Sequence, residues 1–155
     1  MITVTLPYPV SANDYWGSRV VFSPKLKRHI SVPYVTPKAK DYKEEVAWRL
    51  KAAGIRKPLD GRVHIHIDLY PKRPQDWQAR QRKNGANWDD TVRSIDVDNA
   101  RKILYDAMKD IAFGDDFWVW SDSGKRCEPD GEARVVVTIT PIAVAQPQAA
   151  LFAEA

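Results

Sequence analysis

The stretch Ser94-Ile95-Asp96-Val97-Asp98-Asn99-Ala100-Arg101-Lys102 marks the point where the pattern of the chain changes from extended to helical. Asp96 and Asp98 are two residues apart, so in an extended segment their carboxylates leave the same face. The apolar residues that follow recur at spacings of three and four, as in an amphipathic helix: Ala100, Ile103, Leu104, Ala107, Met108 and Ile111. Gly114 is expected to end this helix. Two carboxylates are therefore predicted at a helix N-terminus, where the helix dipole favours their ionised form.

A second acidic pair, Asp115-Asp116, follows the predicted helix. If the chain folds back along this helix, which is roughly 18 Å long, Asp116 can rejoin Asp96 and Asp98. Three carboxylates without Cys or His ligands would make a hard oxygen site, which suits Mg²⁺ or Mn²⁺. Lys102 lies four residues after Asp98, and a cation beside such a cluster is what phosphoryl transfer needs. The alternative is that Asp98 is simply the N-cap of the helix.

Several of these residues together resemble the signature of the RusA-type Holliday-junction resolvases. The matching residues are Asp96-Val97-Asp98-Asn99, Lys102, the Tyr105-Asp106-Ala107 step, Asp115-Asp116 and the N-terminal segment Leu6-Pro7-Tyr8-Pro9-Val10-Ser11-Ala12-Asn13. The resemblance covers about the first 140 residues, with one large interruption.

The resemblance implies that Asp96, Asp98 and Asp116 are catalytic, metal-binding carboxylates and that Lys102 is the catalytic lysine. It further implies a small homodimeric, Mg²⁺-dependent endonuclease of phage or prophage type that nicks four-way DNA junctions during recombination and repair. Two alternatives stay open: a non-catalytic protein that binds branched DNA, and a metal-dependent nuclease that prefers flap or fork DNA.

Length and composition favour one globular domain. The chain has 155 residues, of which 44% are hydrophobic, and its one cysteine, Cys127, excludes an intrachain disulfide. A reducing, cytoplasmic setting is expected, and the N-terminal residues do not resemble a signal peptide. We predict a RusA-like domain over residues 1–141, with a long basic loop inserted at 71–93, and a disordered tail over 142–155.

The positive charge of the chain is unevenly distributed. The net charge is only +4, but the segment 19–57 contains eleven Lys or Arg residues against three acids. This excess suits a polyanionic partner such as branched DNA, although a Lys-rich solvated helix would explain it too. The candidate DNA-binding residues are Asn13, Lys25, Lys27, Arg28, Lys72, Arg73 and Arg101.

The remaining patterns predict an α+β domain, in which a mixed sheet carries two main helices. The predicted elements are a first strand at 2–6, a hairpin at 19–35, a helix from 36 to 54, a strand at 63–70 and a final strand at 134–140.

Four further segments carry predictions. Residues 121–125 are expected to form a turn, and the apolar run 117–120 a buried or interface strand. His64 and His66 alternate on one face of the fourth predicted strand and are interpreted as sheet-face residues rather than metal ligands. The insert 71–93 mixes basic residues with tryptophans, which suits unstacked DNA bases, or it is a flexible loop.

Overall fold

The computed structural model describes residues 1–145 and shows an α+β fold. Its strands are β1 (Ile2–Pro7), β2 (Trp16–Ser23), β3 (Arg28–Val35), β4 (Val63–Tyr70), β5 (Val119–Arg126) and β6 (Arg134–Pro141). Its helices are α1 (Ala12–Tyr15), α2 (Pro37–Ala52), α3 (Trp77–Asn84) and α4 (Val97–Met108), with 3₁₀ segments at Gly85–Thr91 and Asp116–Trp118. None of the helices in this part of the chain has the length and apolar content needed to cross a membrane.

Four strands form a mixed sheet in the order β1-β6-β4-β5. β6 runs antiparallel to both of its neighbours, with Val137 opposite Val4 on β1 and Ile67 on β4. β5 pairs in parallel with β4 and is one edge of the sheet. The predicted α+β class and mixed sheet are therefore confirmed.

The hydrophobic core lies on one face of this sheet. Every second residue of β4 is fully buried, as the strict alternation of its sequence predicts, and α2 and α4 contribute the opposing apolar stripes. Helix α2 begins where expected, because the Thr36 hydroxyl accepts a hydrogen bond from the Ala39 N–H at 3.2 Å and Pro37 follows as the first helical residue. The predicted hairpin is also confirmed, as strands β2 and β3.

The prediction for α4 is correct in register but wrong at both ends. The helix begins at Val97, so Asp96 is its N-cap residue and Asp98 lies in its first turn rather than in an extended segment. It ends at Met108, because Asp110 adopts a left-handed backbone conformation (φ 65°) and closes the turn by donating its N–H to the Phe113 carbonyl at 2.8 Å. Ile111 packs against the core from this turn, which explains why it continued the apolar pattern.

One prediction about the segment after α4 is wrong, and one of the two alternatives for the neighbouring apolar run is excluded. Residues 121–125 lie inside β5 rather than in a turn, and their hydroxyls bond side chains of β4: Ser121 Oγ lies 2.7 Å from His64 Nδ1, and Ser123 Oγ lies 2.6 Å from His66 Nδ1. The run 117–120 is not buried, since Phe117, Trp118 and Trp120 are 68%, 38% and 52% exposed. An interface role for these aromatic residues remains a prediction.

The insert 71–93 is not the irregular loop that was expected. It contains α3 and the following 3₁₀ segment, and it is fastened to the loop between β5 and β6. Trp88 is 1% exposed and donates its indole N–H to Glu128 at 2.8 Å, while the Arg73 N–H bonds the Gly131 carbonyl at 2.8 Å. The predicted tail lies mostly outside the described residues; within them, the Ile142 N–H bonds the Arg62 carbonyl at 2.8 Å.

Candidate active site

The N-terminus of α4 presents two carboxylates. Asp96 occupies the N-cap position but makes no side-chain capping bond, so its carboxylate is not used to terminate the helix. Asp98 lies in the first turn with a side chain that is 66% exposed, and its Oδ2 is 3.3 Å from Lys102 Nζ, one turn further along. The predicted pairing of Asp98 with Lys102 is thus present, and both carboxylates lie where the helix dipole favours negative charge.

A glycine on the neighbouring strand allows α4 to start close to the sheet. Gly124 lies in β5, and a Cβ atom built on it would be 3.1 Å from Val97 Cγ1. Val97 separates Asp96 from Asp98, so the absence of a side chain at Gly124 lets the segment that carries both carboxylates approach the sheet. A glycine within a strand commonly marks such an approach rather than a turn.

Asp96 lines a cleft of about 710 Å³ between the N-terminal loop and the start of α4. Tyr8 connects the N-terminal loop to the segment before α4: its hydroxyl accepts the Ile95 N–H at 2.9 Å and lies 3.3 Å from Ser94 Oγ. The cleft is lined by Tyr8, Pro9, Ser11, Ala12, Asn13, Arg93, Ser94, Ile95, Asp96 and Asn99. The fold thus brings Asn13 and Asp96, two of the predicted site residues, to one cavity.

Asp116 and Lys102 line a second cleft, of about 380 Å³, together with Trp16, Tyr105, Asp106 and Lys109. Asp115, the residue before Asp116, accepts the Phe117 N–H at 3.0 Å and pairs with Lys109 Nζ at 3.2 Å. The Phe117 N–H, followed by a hydrogen bond with Asp116 and the pair with Lys109, lowers the pKa of Asp115 to about 2. The same hydrogen bond with Asp115 raises the pKa of Asp116 above its usual value.

The donor chemistry of these residues fits a divalent cation, but their placement in one chain does not yet form a site. Carboxylate and amide oxygens are the donors that Mg²⁺ prefers. Within residues 1–145, however, no three His, Cys, Asp or Glu side chains converge closely enough to hold a metal ion. Asp96 and Asp116 line different clefts, so the expected convergence of the three aspartates remains a prediction.

Sequence reasoning missed Asp122, which binds α4 to the edge strand. Its carboxylate accepts the Tyr105 hydroxyl at 2.6 Å and lies 2.9 Å from Arg101 Nε, without the alignment of a hydrogen bond. Burial and then this bond to Asp122 raise the pKa of Tyr105 above its usual value. Asp122 was assigned to a turn because Ser, Asp and Gly surround it; the spacing of Arg101 and Tyr105 on one helical face was the available signal.

A second network that the sequence did not reveal fastens α4 to the hairpin base. Tyr15 is fully buried and donates its hydroxyl to Asp106, which also lies 3.4 Å from Lys43 Nζ. Burial, followed by the bond to Asp106, raises the pKa of Tyr15 above its usual value. Because Asp106 lines the same cleft as Asp116, this network positions one wall of the cleft.

The predicted DNA-binding residues other than Asn13 are spread over three surfaces. Lys25 and Lys27 lie in the hairpin turn, and Arg28 opens β3, all three exposed. Lys72 and Arg73 follow β4 and are exposed, with the Arg73 guanidinium 4.8 Å from the centre of the Trp77 ring. Arg101 is paired with Asp98 at 3.7 Å and with Asp122, so its charge is partly engaged within the chain. The DNA-binding roles of these residues remain predictions.

His64 and His66 lie on the sheet face, as predicted. Besides their serine partners, His66 Nε2 is 3.0 Å from Asp68 Oδ1. Their ring nitrogens are thus engaged in a polar ladder across β4 and β5.

An α+β domain with an acidic helix N-terminus, a nearby lysine and basic surfaces has the features of an enzyme that acts on DNA. The model of the RusA endodeoxyribonuclease family matches residues 9–140 of the 155-residue chain. The chain therefore belongs to the RusA endodeoxyribonuclease family, as its motifs predicted. The family association supports nuclease activity on branched DNA, in general Holliday-junction resolution dependent on a divalent metal. No curated protein matched the sequence.

Proposed function

We propose that this protein is a Mg²⁺-dependent, structure-specific endodeoxyribonuclease of phage or prophage type that resolves Holliday junctions by paired symmetric nicks. The observation that carries the proposal is the start of α4, where Asp96 lacks a capping bond and Asp98 lies 3.3 Å from Lys102 in a RusA-family chain. Because the Asp96 carboxylate makes no capping hydrogen bond, its lone pairs are available for another ligand.

Asp96, Asp98 and Asp116 would hold the metal, with Mn²⁺ as a substitute for Mg²⁺. When bound, the ion would supply Lewis-acid activation of a water molecule and neutralise charge on the scissile phosphate. Lys102 would stabilise the charge that develops on the phosphate in the transition state. Asn13, which lines the cleft beside Asp96, would orient the DNA backbone.

A homodimer fits this reaction, because symmetric nicks in two strands of like polarity require two sites related by a two-fold axis. Three exposed aromatic residues, Phe117, Trp118 and Trp120, follow Asp116 in the chain, and the Phe117 and Trp118 rings pack together with centres 5.4 Å apart. Exposed apolar clusters of this kind mark interaction surfaces, so we assign this one to the dimer interface.

The decisive experiment incubates the purified protein with a synthetic mobile four-way junction, first with Mg²⁺ and then with EDTA, and maps the nicks. Paired symmetric nicks that disappear with EDTA and in Asp98→Asn are the expected result. Asp96→Asn should likewise retain junction binding and lose cleavage. Binding without nicks in either Mg²⁺ or Mn²⁺ would identify a non-catalytic branched-DNA-binding protein and contradict the catalytic assignments.

The ordered insert 71–93 favours one second candidate, a nuclease that prefers flap or fork DNA. Its helix α3 exposes Arg82 and Lys83, which add a basic surface that a compact domain would lack. Comparing cleavage rates on four-way junctions, flaps, forks and linear duplex distinguishes the two. Faster cleavage of flaps or forks would replace the junction as the substrate.

A further inference from the structure

The hairpin formed by β2 and β3 extends from the domain as an arm. Its main contacts outside itself are with α1, and only its base residues Trp16 and Val35 pack against the core. No residue of the hairpin, all of which lies in the described part of the chain, is buried. A two-stranded hairpin with both faces open is marginally stable alone, so a projecting hairpin of this kind indicates a partner.

The charge of the arm identifies the kind of partner. Residues 16–35 contain four cationic residues, Arg19, Lys25, Lys27 and Arg28, and no aspartate or glutamate. Three of the four cluster at the tip. Two copies of such an arm would repel each other, whereas a polyanion would be attracted.

The apolar residues of the arm are exposed beside these charges. Val20 and Phe22 share one face of β2 and are 71% and 56% exposed, and Leu26 in the turn is 52% exposed. Phe22 packs edge-on against His29 across the hairpin, with ring centres 5.5 Å apart. A ribbon that presents both cations and apolar side chains can contact phosphates at its margins and base edges or thymine methyl groups in between.

The base of the arm lies next to the candidate active site. Trp16, its first residue, lines the cleft that also contains Lys102 and Asp116, and Tyr15 immediately before it binds Asp106 of α4. Eight extended residues span about 27 Å, which corresponds to about eight base pairs at 3.4 Å each. A two-stranded β-ribbon also matches the width of the B-DNA major groove.

We propose that the β2–β3 hairpin is a DNA-binding arm that lies in the major groove of one duplex arm of the branched substrate and extends contact to about eight base pairs from the nicking site. This inference rests on the proposed function and adds to it the position of a duplex. The tip residues Lys25, Lys27 and Arg28 would contact phosphates at the far end, and Phe22 would face the bases.

The test compares the wild-type chain with Lys25→Gln/Lys27→Gln/Arg28→Gln on a four-way junction with 20-base-pair arms in EDTA, so that cleavage does not interfere. We expect the dissociation constant for the junction to rise about tenfold or more. The dependence of log affinity on log salt concentration has a negative slope, and its magnitude should decrease by about three. Hydroxyl-radical footprinting should show loss of the protections farthest from the branch point and retention of those near it. Phe22→Ala should weaken binding without changing the salt slope.

The matched control is Lys51→Gln/Arg56→Gln/Lys57→Gln, which removes the same charge from three exposed residues outside the hairpin. It should leave the length of the footprint unchanged. A tip variant with the wild-type footprint and salt slope would overturn the arm while leaving the nuclease proposal intact. A tip variant that instead changes the sedimenting mass would assign the hairpin to a protein interface. Failure of the wild-type chain to bind branched DNA at all would overturn both proposals.

Discussion

Asp115 supports the turn that carries Asp116, and its pKa predicts a pH-dependent contribution to stability. The pKa of Asp115 is lowered to about 2 in the folded chain, whereas it is near 4 in the unfolded chain. The ionised carboxylate therefore stabilises the fold above about pH 4, and this stabilisation is lost as the pH falls to about 2. We expect Asp115→Ala to lower the Tm by a few degrees at pH 7 and by progressively less from pH 4 to pH 2. Thermal unfolding followed by circular dichroism measures the Tm of both chains. A Tm difference that is constant from pH 7 to pH 2 would show that the ionised Asp115 carboxylate, which accepts the Phe117 N–H, does not stabilise the fold.

Lys102 is expected to act on the transition state rather than on binding. It is exposed and its ammonium already faces Asp98, so its removal should leave the fold intact. Lys102→Ala should lower the nicking rate by roughly 100-fold, the usual effect of losing one electrostatic stabiliser, while junction affinity in EDTA changes less than tenfold. Single-turnover cleavage and anisotropy measure the two quantities. Lys51→Ala, an exposed lysine elsewhere, is the control; equal losses in both variants would remove Lys102 from the mechanism.

At the scale of elements, the insert 71–93 is a folded accessory anchored by the buried residues Pro71, Trp88 and Val92. Trp88 fills its base, and Arg126 donates to the Asp89 and Val92 carbonyls at 2.9 and 2.5 Å. Trp88→Ala should cost about 3–5 kcal/mol in the free energy of unfolding, because a large cavity forms and the Glu128 bond is lost. Urea unfolding measures this cost, and trypsin should cleave faster after Arg82 and Lys83 in the variant.

The control for this prediction is Trp48→Ala, since Trp48 is 67% exposed on α2. Surface substitutions of this kind change stability by about 0.5 kcal/mol or less. If both tryptophans cost the same, or if trypsin cleaves the insert equally fast in wild type and Trp88→Ala, the insert is not anchored as described.

The elements that the sequence predicted are those in which the local pattern and the tertiary environment agree. In β4, alternation matched a sheet buried on one face, and in α2 a cap, a proline and an apolar stripe all indicated the same helix. β5 was missed because Ser121 to Lys125 has the composition of a turn, yet its backbone pairs with β4. Serine–histidine hydrogen bonds also join the two strands, and Gly124 leaves room for Val97. The pairing partner of an edge strand is a long-range fact, which local propensity does not contain.

At the scale of the whole molecule, the order of the motifs predicted the family. The geometry of the site depends instead on how the chain turns back after α4, because that turn positions Asp116 relative to Asp96 and Asp98. The Asp98–Lys102 pair follows from helical spacing alone and is present. The position of Asp116 depends on where α4 ends, and the left-handed Asp110 places that end one turn earlier than the apolar pattern indicated. Asp96 and Asp116 line separate clefts. Convergence of the three aspartates on one metal ion therefore remains a prediction, since no such group forms among the described residues of a single chain.

The proposed homodimer predicts an oligomeric state that one substitution can change. The wild-type chain should sediment at twice the 17.7 kDa of a single chain. In an isologous interface one substitution is present twice, so Phe117→Glu buries two unpaired charges. We expect the dimer dissociation constant to rise about 100-fold or more, or roughly 3 kcal/mol. Trp48→Glu, at an equally exposed aromatic residue, should remain dimeric.

The Phe117→Glu chain should also lose the pairing of nicks on a four-way junction, because each monomer carries one site. Sedimentation velocity at matched concentrations decides the outcome: a dimeric Phe117→Glu chain would place the interface elsewhere, and a monomeric wild type that still makes paired nicks would contradict the two-site arrangement.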